Sequence, residues 1–353
     1  MKNKNCQQFY TGTKLLSMKD LNGERPEIYI CTSNRSAGKT TYFNKLCLNK
    51  FLKQGEKFML LYRFNYELDD VAEKFFKDIQ GLFFPEYSMY SEKRSKGLYH
   101  ELFLVNSKDE KTSCAYAVAL NSSDQIKRYS HFFSDTQRIL FDEFQSEVNH
   151  YCDNEVKKFI SIHTSVARGS GKQSRYVPVY MISNPVSIVN PYYIELGISE
   201  RLTNDTHFLR GVGWVLEQGH NPGAAAALLG SAFNRAFENN NYMEYNTQGI
   251  YLNDNLAFIE KPCGNSRYYA TIRYKGKDFA IRKYPETGIL YCDKSVDHSF
   301  PLKISVTTPD HNINYVMLKS NDIVITNLKY FFNKGCFRFK DLECKEAIIK
   351  LIR

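Results

Sequence analysis

Apolar positions in the first half of the chain fall into short runs separated by stretches of helical spacing. EKFMLLYRF (56–64), RILFDEF (138–144) and YVPVYMI (176–182) read as buried strands, as does IYIC (28–31). Between them, TYFNKLCLNKFL (41–52), YELDDVAEKFFKDI (66–79) and NEVKKFISIHTSVAR (154–168) carry helical spacing, the second with Leu68, Val71, Phe75 and Phe76 on one face. Strand alternating with helix predicts an α/β fold with a mainly parallel sheet. SEKRSKG (91–97) reads as a basic loop, and the alternating runs LYHELFLV (98–105) and TSCAYAVAL (112–120) as a hairpin inserted in the sheet order. In NPGAAAALLGSAFNR (221–235), Asn221 is placed to cap a helix with Pro222 in its first turn. The last third returns to a two-residue period in YYATIRY, KDFAIRKY and ILYCDK, separated by Lys-Gly and Pro-Glu-Thr-Gly turns.

Polar residues at the ends of three apolar runs supply the candidate chemistry. IYICTSNRSAGKTTYFN (28–44) is a strand, a loop of small polar residues and a helix. Loops of this Walker A type hold a triphosphate on backbone N–H groups and the positive helix end, while the lysine reaches the outer phosphates and the hydroxyl ligates magnesium. The segment Ser33, Asn34, Arg35, Ser36, Ala37, Gly38, Lys39, Thr40 and Thr41 is the expected site for ATP or GTP with Mg²⁺. It departs from G-x-x-x-x-G-K-[ST] at Ser33, and Ser36 occupies a second position where glycine is favoured. Serine there requires a less strained turn or costs about 1 kcal/mol.

RILFDEF delivers Asp142 and Glu143 at the end of its apolar run, where the first acid can join the magnesium shell and the second can orient and deprotonate water. YVPVYMI ends in Ser183, Asn184 and Pro185; Asn184 can sense the γ-phosphate, and an ordinary Asn-Pro turn accounts for the residues equally well.

At 353 residues and 43% hydrophobic, the chain can form more than one core without covalent staples. Nine scattered cysteines with no C-x-x-C pair point to reduced core residues and give no metal cluster. MKNKNCQQFYTG (1–12) has no apolar segment of signal-peptide length, and no apolar run approaches the roughly 18 residues that span a bilayer, so a soluble, unexported protein is expected. Residues 256–353 hold 17 Lys and Arg against 10 Asp and Glu, and so carry most of the +9 formal charge. A polyanion partner and a solvated surface both fit that excess.

SNRSAGKT, FLKQGEKFMLLYRF, RILFDEF, NEV and SNPVSIVNPYY, in this order, resemble the DNA-packaging ATPases (encapsidation proteins) of phi29-type tailed phages, relatives of the large terminases. FIEKPCGNSRYYATIRYKG (258–276) and NLKYFFNKGCFRF (327–339) extend the likeness over nearly the whole chain. The resemblance implies an ASCE-type P-loop ATPase domain over 1–203, a small helical linker domain over 204–255, and over 256–353 an α+β, RNase H-like domain that has lost its nuclease acids. It implies ATP hydrolysis with Lys39 on the β- and γ-phosphates, Thr40 and Asp142 on Mg²⁺, and Glu143 on the water. Arg168 matches the family's arginine finger, with Arg175 as the other candidate, and Arg35 matches an arginine found in the loops of packaging ATPases. The implied partners are double-stranded DNA, a prohead portal, further copies of the chain in a ring of commonly five and, as in some relatives, a structural RNA. The implied setting is the host cytoplasm and, transiently, the portal vertex.

A two-metal nuclease needs three or four converging carboxylates, whereas YYATIRY carries none and Asp278, Asp293 and Asp297 fall at strand edges or in turns. Arg267, Arg273, Lys275, Lys277, Arg282 and Lys283 offer phosphate contacts instead, interleaved with Tyr268, Tyr269, Tyr274 and Tyr284. Two rival readings are a complete terminase with a live nuclease and a non-hydrolysing nucleic-acid-binding scaffold with a degenerate nucleotide site.

Overall fold

The computed structural model describes residues 9–148, 150–168, 173–188, 190–199, 201–202, 206–236, 246 and 259–352. They form two compact units, one of residues 1–186 with 203–252 and one of 187–202 with 253–353. This grouping differs from the expected bounds at 203 and 255: residues 206–218 join the first sheet, and 187–202 pack with the last third.

The first unit opens with a short helix, α1 (Thr13–Ser17), then β1 (Ile28–Thr32), α2 (Lys39–Gln54) and β2 (Lys57–Tyr62). The predicted helix over 66–79 is displaced to α3 (Val71–Phe83), because Glu67 turns back to accept the N–H groups of Arg63 and Phe64 at 2.8 and 2.6 Å. That contact closes a tight turn over Asn65–Leu68, and Asp70, at φ +57°, separates the turn from the helix.

The expected loop at 91–97 is instead largely strand. β3 (Ser88–Arg94) pairs antiparallel with β4 (Tyr99–Val105), which pairs with β5 (Lys111–Ala119) as the predicted hairpin. β3 is an edge strand built from charges. Arg94 bonds Glu92 and Glu101 at 2.9 and 2.8 Å and Lys111 pairs with Glu92, which offsets the repulsion of the directly opposed Glu92 and Glu101.

A short helix α4 (Ser123–Ile126) leads to β6 (Thr136–Asp142), α5 (Glu155–Ala167) and β7 (Val179–Ser183). After α6 (Pro191–Glu195), which belongs to the second unit, β8 (Phe208–Arg210) and β9 (Trp214–Gln218) complete the first sheet. Its order is β3-β4-β5-β2-β6-β7-β1-β9-β8, with parallel pairing from β5 through β9. One buried cluster joins α2 and α3 to this sheet through Phe43, Cys47, Leu48, Phe58, Phe75 and Ile79.

The single helix read over 221–235 is two, α7 (Pro222–Leu229) and α8 (Ala232–Ala236), interrupted at Gly230 and Ser231. Asn221 caps α7 by accepting the Ala224 N–H at 3.1 Å, and Pro222 stands in its first turn as read from sequence.

The second unit holds a five-stranded sheet in the order β13-β10-β11-β12-β14. β10 (Arg267–Tyr274), β11 (Lys277–Tyr284) and β12 (Ile289–Asp293) are the predicted antiparallel strands; β13 (Lys303–Ser305) runs parallel to β10 and β14 (Phe337–Phe339) parallel to β12. The β10–β11 turn needs two residues at positive φ, here Lys275 (+51°) and Gly276 (+74°), and the Asp310 carboxylate accepts both their N–H groups at 3.1 and 2.8 Å. Ile272, Phe279, Ile281, Leu290 and Cys292 form its core with Leu328, Cys344 and Ile348 of the helices Ile323–Asn333 and Leu342–Ile352.

Candidate nucleotide-binding site

Because β7 lies between β1 and β6, the loops that leave these three strands open at one edge of the sheet. Thr32 pairs with Ser183, and Asp142 with Ile182, so the phosphate loop, the acidic pair and Asn184 emerge side by side. This is the carboxyl edge, where parallel α/β sheets bind ligands.

The loop closes over Lys39. Its Nζ donates to the carbonyl oxygens of Ser33 and Asn34 at 2.9 and 3.2 Å and to Asn184 Oδ1 at 3.2 Å. Burial holds the ammonium below its ordinary pKa, with the Asp142 charge among those opposing the shift. The structure thus brings Asn184 into hydrogen-bonding contact with Lys39.

The missing glycines resolve differently. Ser33 is not among the residues at positive φ, so serine costs nothing in backbone strain there. Ser36 takes φ +59°, which costs a residue with a Cβ about 1–2 kcal/mol. Gly38 lies at φ +95°, outside the region open to L side chains, and starts α2. Ala37 is a buried residue of the loop and Thr41 sits in the first turn of α2.

Thr40 Oγ1 donates to Asp142 Oδ2 at 3.0 Å, joining the helix start to the end of β6. Burial, with the neighbouring Glu143 charge adding to it, pushes the Asp142 carboxyl up to about 6. A hydroxyl and a carboxylate this close form a hard-oxygen donor set that suits Mg²⁺. Glu143 is exposed and held at φ +52°, with its N–H on Asp142 Oδ1 at 2.9 Å. A non-glycine residue in this region carries backbone strain of order 1–3 kcal/mol, which the surroundings must impose.

Those surroundings include residues that local sequence patterns do not single out. The buried Arg63 guanidinium donates through Nε to both oxygens of Glu155 at 2.9 and 3.1 Å, and through its other nitrogens to the carbonyls of Glu143 (3.4 Å) and Phe144 (2.7 Å). Gln145 Oε1 accepts the Val186 N–H at 3.0 Å, tying the loop after β6 to the one after β7. Arg63 ends an apolar run and Glu155 opens a helix; only their approach in space gives them a role. Arg35 forms an ion pair with Glu147, and both line the cleft that Glu143 and Asn184 enter.

Arg168 is at the C-terminal end of α5, exposed, in extended conformation and without an ion pair among the described residues. Arg175 is different: its guanidinium donates to the Val166 carbonyl at 2.7 Å and its N–H to the Ala167 carbonyl at 2.9 Å, so it caps α5. Residues 169–172 of the intervening loop lie outside the described residues.

The six cations expected to contact phosphate are not a free row. Arg273 is bidentate to Asp278 at 2.7 and 2.9 Å, Lys275 bonds Glu346 at 3.1 Å, Lys277 pairs with Glu343 and Arg282 bonds Asp293 at 3.0 Å. Arg267 and Lys283 have no ion pair among the described residues, and the Lys283 ammonium lies 3.9 Å from the Tyr269 ring centroid.

Comparison with known proteins places the chain in a lineage. The DNA packaging protein of Bacillus phage phi29 is 23% identical over 349 residues, covering 98% of this chain and 97% of the relative. The corresponding protein of Bacillus phage B103 is 26% identical over 313 residues, 86% of this chain and 88% of that one. A chain of the bacteriophage Phi-29 viral genome packaging motor assembly superposes with a TM-score of 0.58 at 23% identity, covering 98% of this chain and 99% of that chain. The Podovirus DNA encapsidation protein (Gp16) profile matches residues 5–353, and the chain belongs to that family.

Proposed function

We propose that this chain is the ATP-hydrolysing subunit of a motor that drives double-stranded DNA into a phage prohead. The observation that carries the reading is the convergence of Lys39, the Thr40–Asp142 pair, Glu143 and Asn184 at the ends of β1, β6 and β7. Lys39, held by loop carbonyls and Asn184, can exchange those neutral acceptors for the β- and γ-phosphates, which replaces neutral with charge-assisted hydrogen bonds. The loop N–H groups and the start of α2 take the remaining phosphate oxygens. Thr40 and Asp142 would hold Mg²⁺, which neutralises charge on the β- and γ-oxygens. Glu143, exposed and fixed through its main chain, takes the proton of the attacking water.

Arg168 serves as the arginine finger for a neighbouring subunit, which requires the ring implied by family membership. Arg35, paired with Glu147 here, exchanges that contact for nucleotide. Functionally the chain divides into an ATPase part over 1–203, a linker over 204–255 and a nucleic-acid-binding part over 256–353. In the last, an RNase H-like domain that binds without cutting fits the placement of its acids: Asp278 and Asp293 each hold an arginine, and Asp297 accepts the Ser299 N–H and hydroxyl. The portal, and a structural RNA as in some relatives, complete the partners.

The decisive measurement is ATP turnover with and without double-stranded DNA, recorded with the assembly state by light scattering. DNA-stimulated turnover that rises with oligomerisation is expected. No turnover in any assembled state overturns the motor reading and leaves a nucleic-acid-binding scaffold.

A further inference from the structure

The phosphate loop is held from outside its own strand-loop-helix unit. Asn34 is fully buried, and its carboxamide is satisfied by the main chain of Asn221: Nδ2 donates to the Asn221 carbonyl at 3.1 Å, and the Asn221 N–H donates to Oδ1 at 2.8 Å. A carboxamide presents a donor and an acceptor side by side, as a peptide group does, so the contact closes like one step of a sheet ladder. Asn221 also begins α7, with its Oδ1 on the Ala224 N–H and its carbonyl on the Ala225 N–H, both at 3.1 Å. Two more bonds grip the same region: Gly219 N–H to the Thr32 carbonyl at 2.8 Å, and Tyr10 N–H to the Ala37 carbonyl at 2.9 Å. Separating Asn34 from the start of α7 would take both of these partners from its buried carboxamide.

We propose that the Asn34–Asn221 contact positions the phosphate loop, and that through it occupation of the loop by nucleotide is transmitted to α7. The inference rests on the ATP-binding reading above and adds the element that receives the signal. Lys39 bonds the Asn34 carbonyl, so the residue that releases loop oxygens to take up phosphate pulls on the same residue whose side chain grips Asn221. Coupling of this kind is mutual: if nucleotide orders the start of α7, an intact α7 contact tightens nucleotide binding by the same factor. A contact that only supported the fold would lower stability when cut, and would leave the response of α7 to nucleotide unchanged.

Hydrogen exchange on the full chain, with and without a non-hydrolysable ATP analogue and Mg²⁺, tests this on a peptide covering 219–230, with the dissociation constant of the analogue titrated in parallel. In the wild type the analogue slows exchange in that peptide as well as in the loop peptide. In Asn34→Ala the dissociation constant rises about tenfold, and at saturation the loop peptide is still protected while 219–230 is unchanged. Binding of the analogue by the wild type with no change in 219–230 overturns the inference and leaves the ATP reading standing; this arm needs no variant to fold. Equal transfer of protection in Asn34→Ala also overturns it. Failure of the wild type to bind the analogue removes the ATP reading, and the inference with it.

Discussion

Arg63 holds both carboxylate oxygens of Glu155 while its remaining nitrogens take the carbonyls of Glu143 and Phe144. One buried guanidinium thus joins the end of β2, the loop after β6 and the start of α5. With Arg63 and Glu155 both buried, removing one partner strands a charge, and Arg63→Ala should destabilise the first unit by about 3–5 kcal/mol. Glu155→Gln keeps hydrogen-bonding groups in place and should cost less. In a variant that still folds, turnover should fall more than ATP affinity, because the strained Glu143 backbone loses its anchor. Denaturant unfolding with single-turnover kinetics separates the effects, and equal losses in kcat and affinity would reject the anchoring role.

Lys39 and Glu143 should separate kinetically. Lys39→Ala is expected to weaken ATP binding by about 10- to 100-fold, the worth of a charge-assisted hydrogen bond. Glu143→Gln should bind ATP nearly normally and lose at least about a hundredfold in turnover, since the water loses its base while Thr40 and Asp142 remain. Wild-type turnover in Glu143→Gln would end that assignment.

The central strands and the nucleotide loop were legible because their signals are local: a β-branched apolar run, a Gly-Lys-Thr step, two acids ending a strand. β3 was not, since an edge strand made of Ser, Glu, Lys and Arg reads as a basic loop until Glu101 and Lys111 stand beside it. The helix start moved from 66 to 71 because Glu67 bonds backward to Arg63 and Phe64, where sequence shows only an acid in a helical pattern. Arg63 with Glu155, and Asn34 with Asn221, are separated by 92 and 187 positions, and no local pattern announces contacts at such range. The same limit made six cations of the second unit look alike, since Glu343 and Glu346 arrive from the last helix to neutralise two of them.

Asp142 makes the site pH-sensitive. Its carboxyl is raised to about 6 from an ordinary value of 3.8, so without cation the native state holds a proton that the unfolded chain has lost, and stability falls as pH rises from about 4 to 6. Asp142→Asn should therefore raise the melting temperature at pH 7 by several degrees. Mg²⁺ binding requires the ionised form, so in the wild type its affinity should fall about tenfold per unit below pH 6. Mg²⁺ titration of the ATP complex at pH 5 and 7 checks this, and a flat profile rejects it.

In the second unit, cations with and without an ion pair among the described residues should behave differently. Arg267→Ala and Lys283→Ala are each expected to weaken DNA binding across sequences and reduce the slope of log K against log salt by about 1. Arg273→Ala should mainly lower stability, because it leaves the Asp278 carboxylate without its bidentate partner. Fluorescence anisotropy over a salt series reads the slope. Unchanged slopes at Arg267 and Lys283 would move the nucleic-acid surface elsewhere, and nicking of supercoiled DNA with Mn²⁺ would contradict a non-cutting domain.

The final prediction concerns the two arginines that flank the loop after α5. Arg175 donates to the Val166 carbonyl and caps the helix, whereas Arg168 is exposed and extended, with no ion pair among the described residues. Arg175→Ala should thus shorten α5 and lower stability by about 1 kcal/mol, the scale of a helix-end charge or hydrogen bond. Arg168→Ala should leave stability and ATP affinity intact but cut turnover by about 10³- to 10⁵-fold, the worth of a finger on the transferring phosphoryl group. Lysine should rescue little, lacking the planar fork of donors. A finger acting across subunits also predicts complementation. In a mixed ring of Arg168→Ala and Glu143→Gln subunits, some sites combine an intact Glu143 with a neighbour's intact Arg168, so the mixture should hydrolyse ATP faster than either variant alone. Rings shown to exchange subunits, yet gaining nothing at any mixing ratio, would rule out the trans role and return Arg168 to the surface.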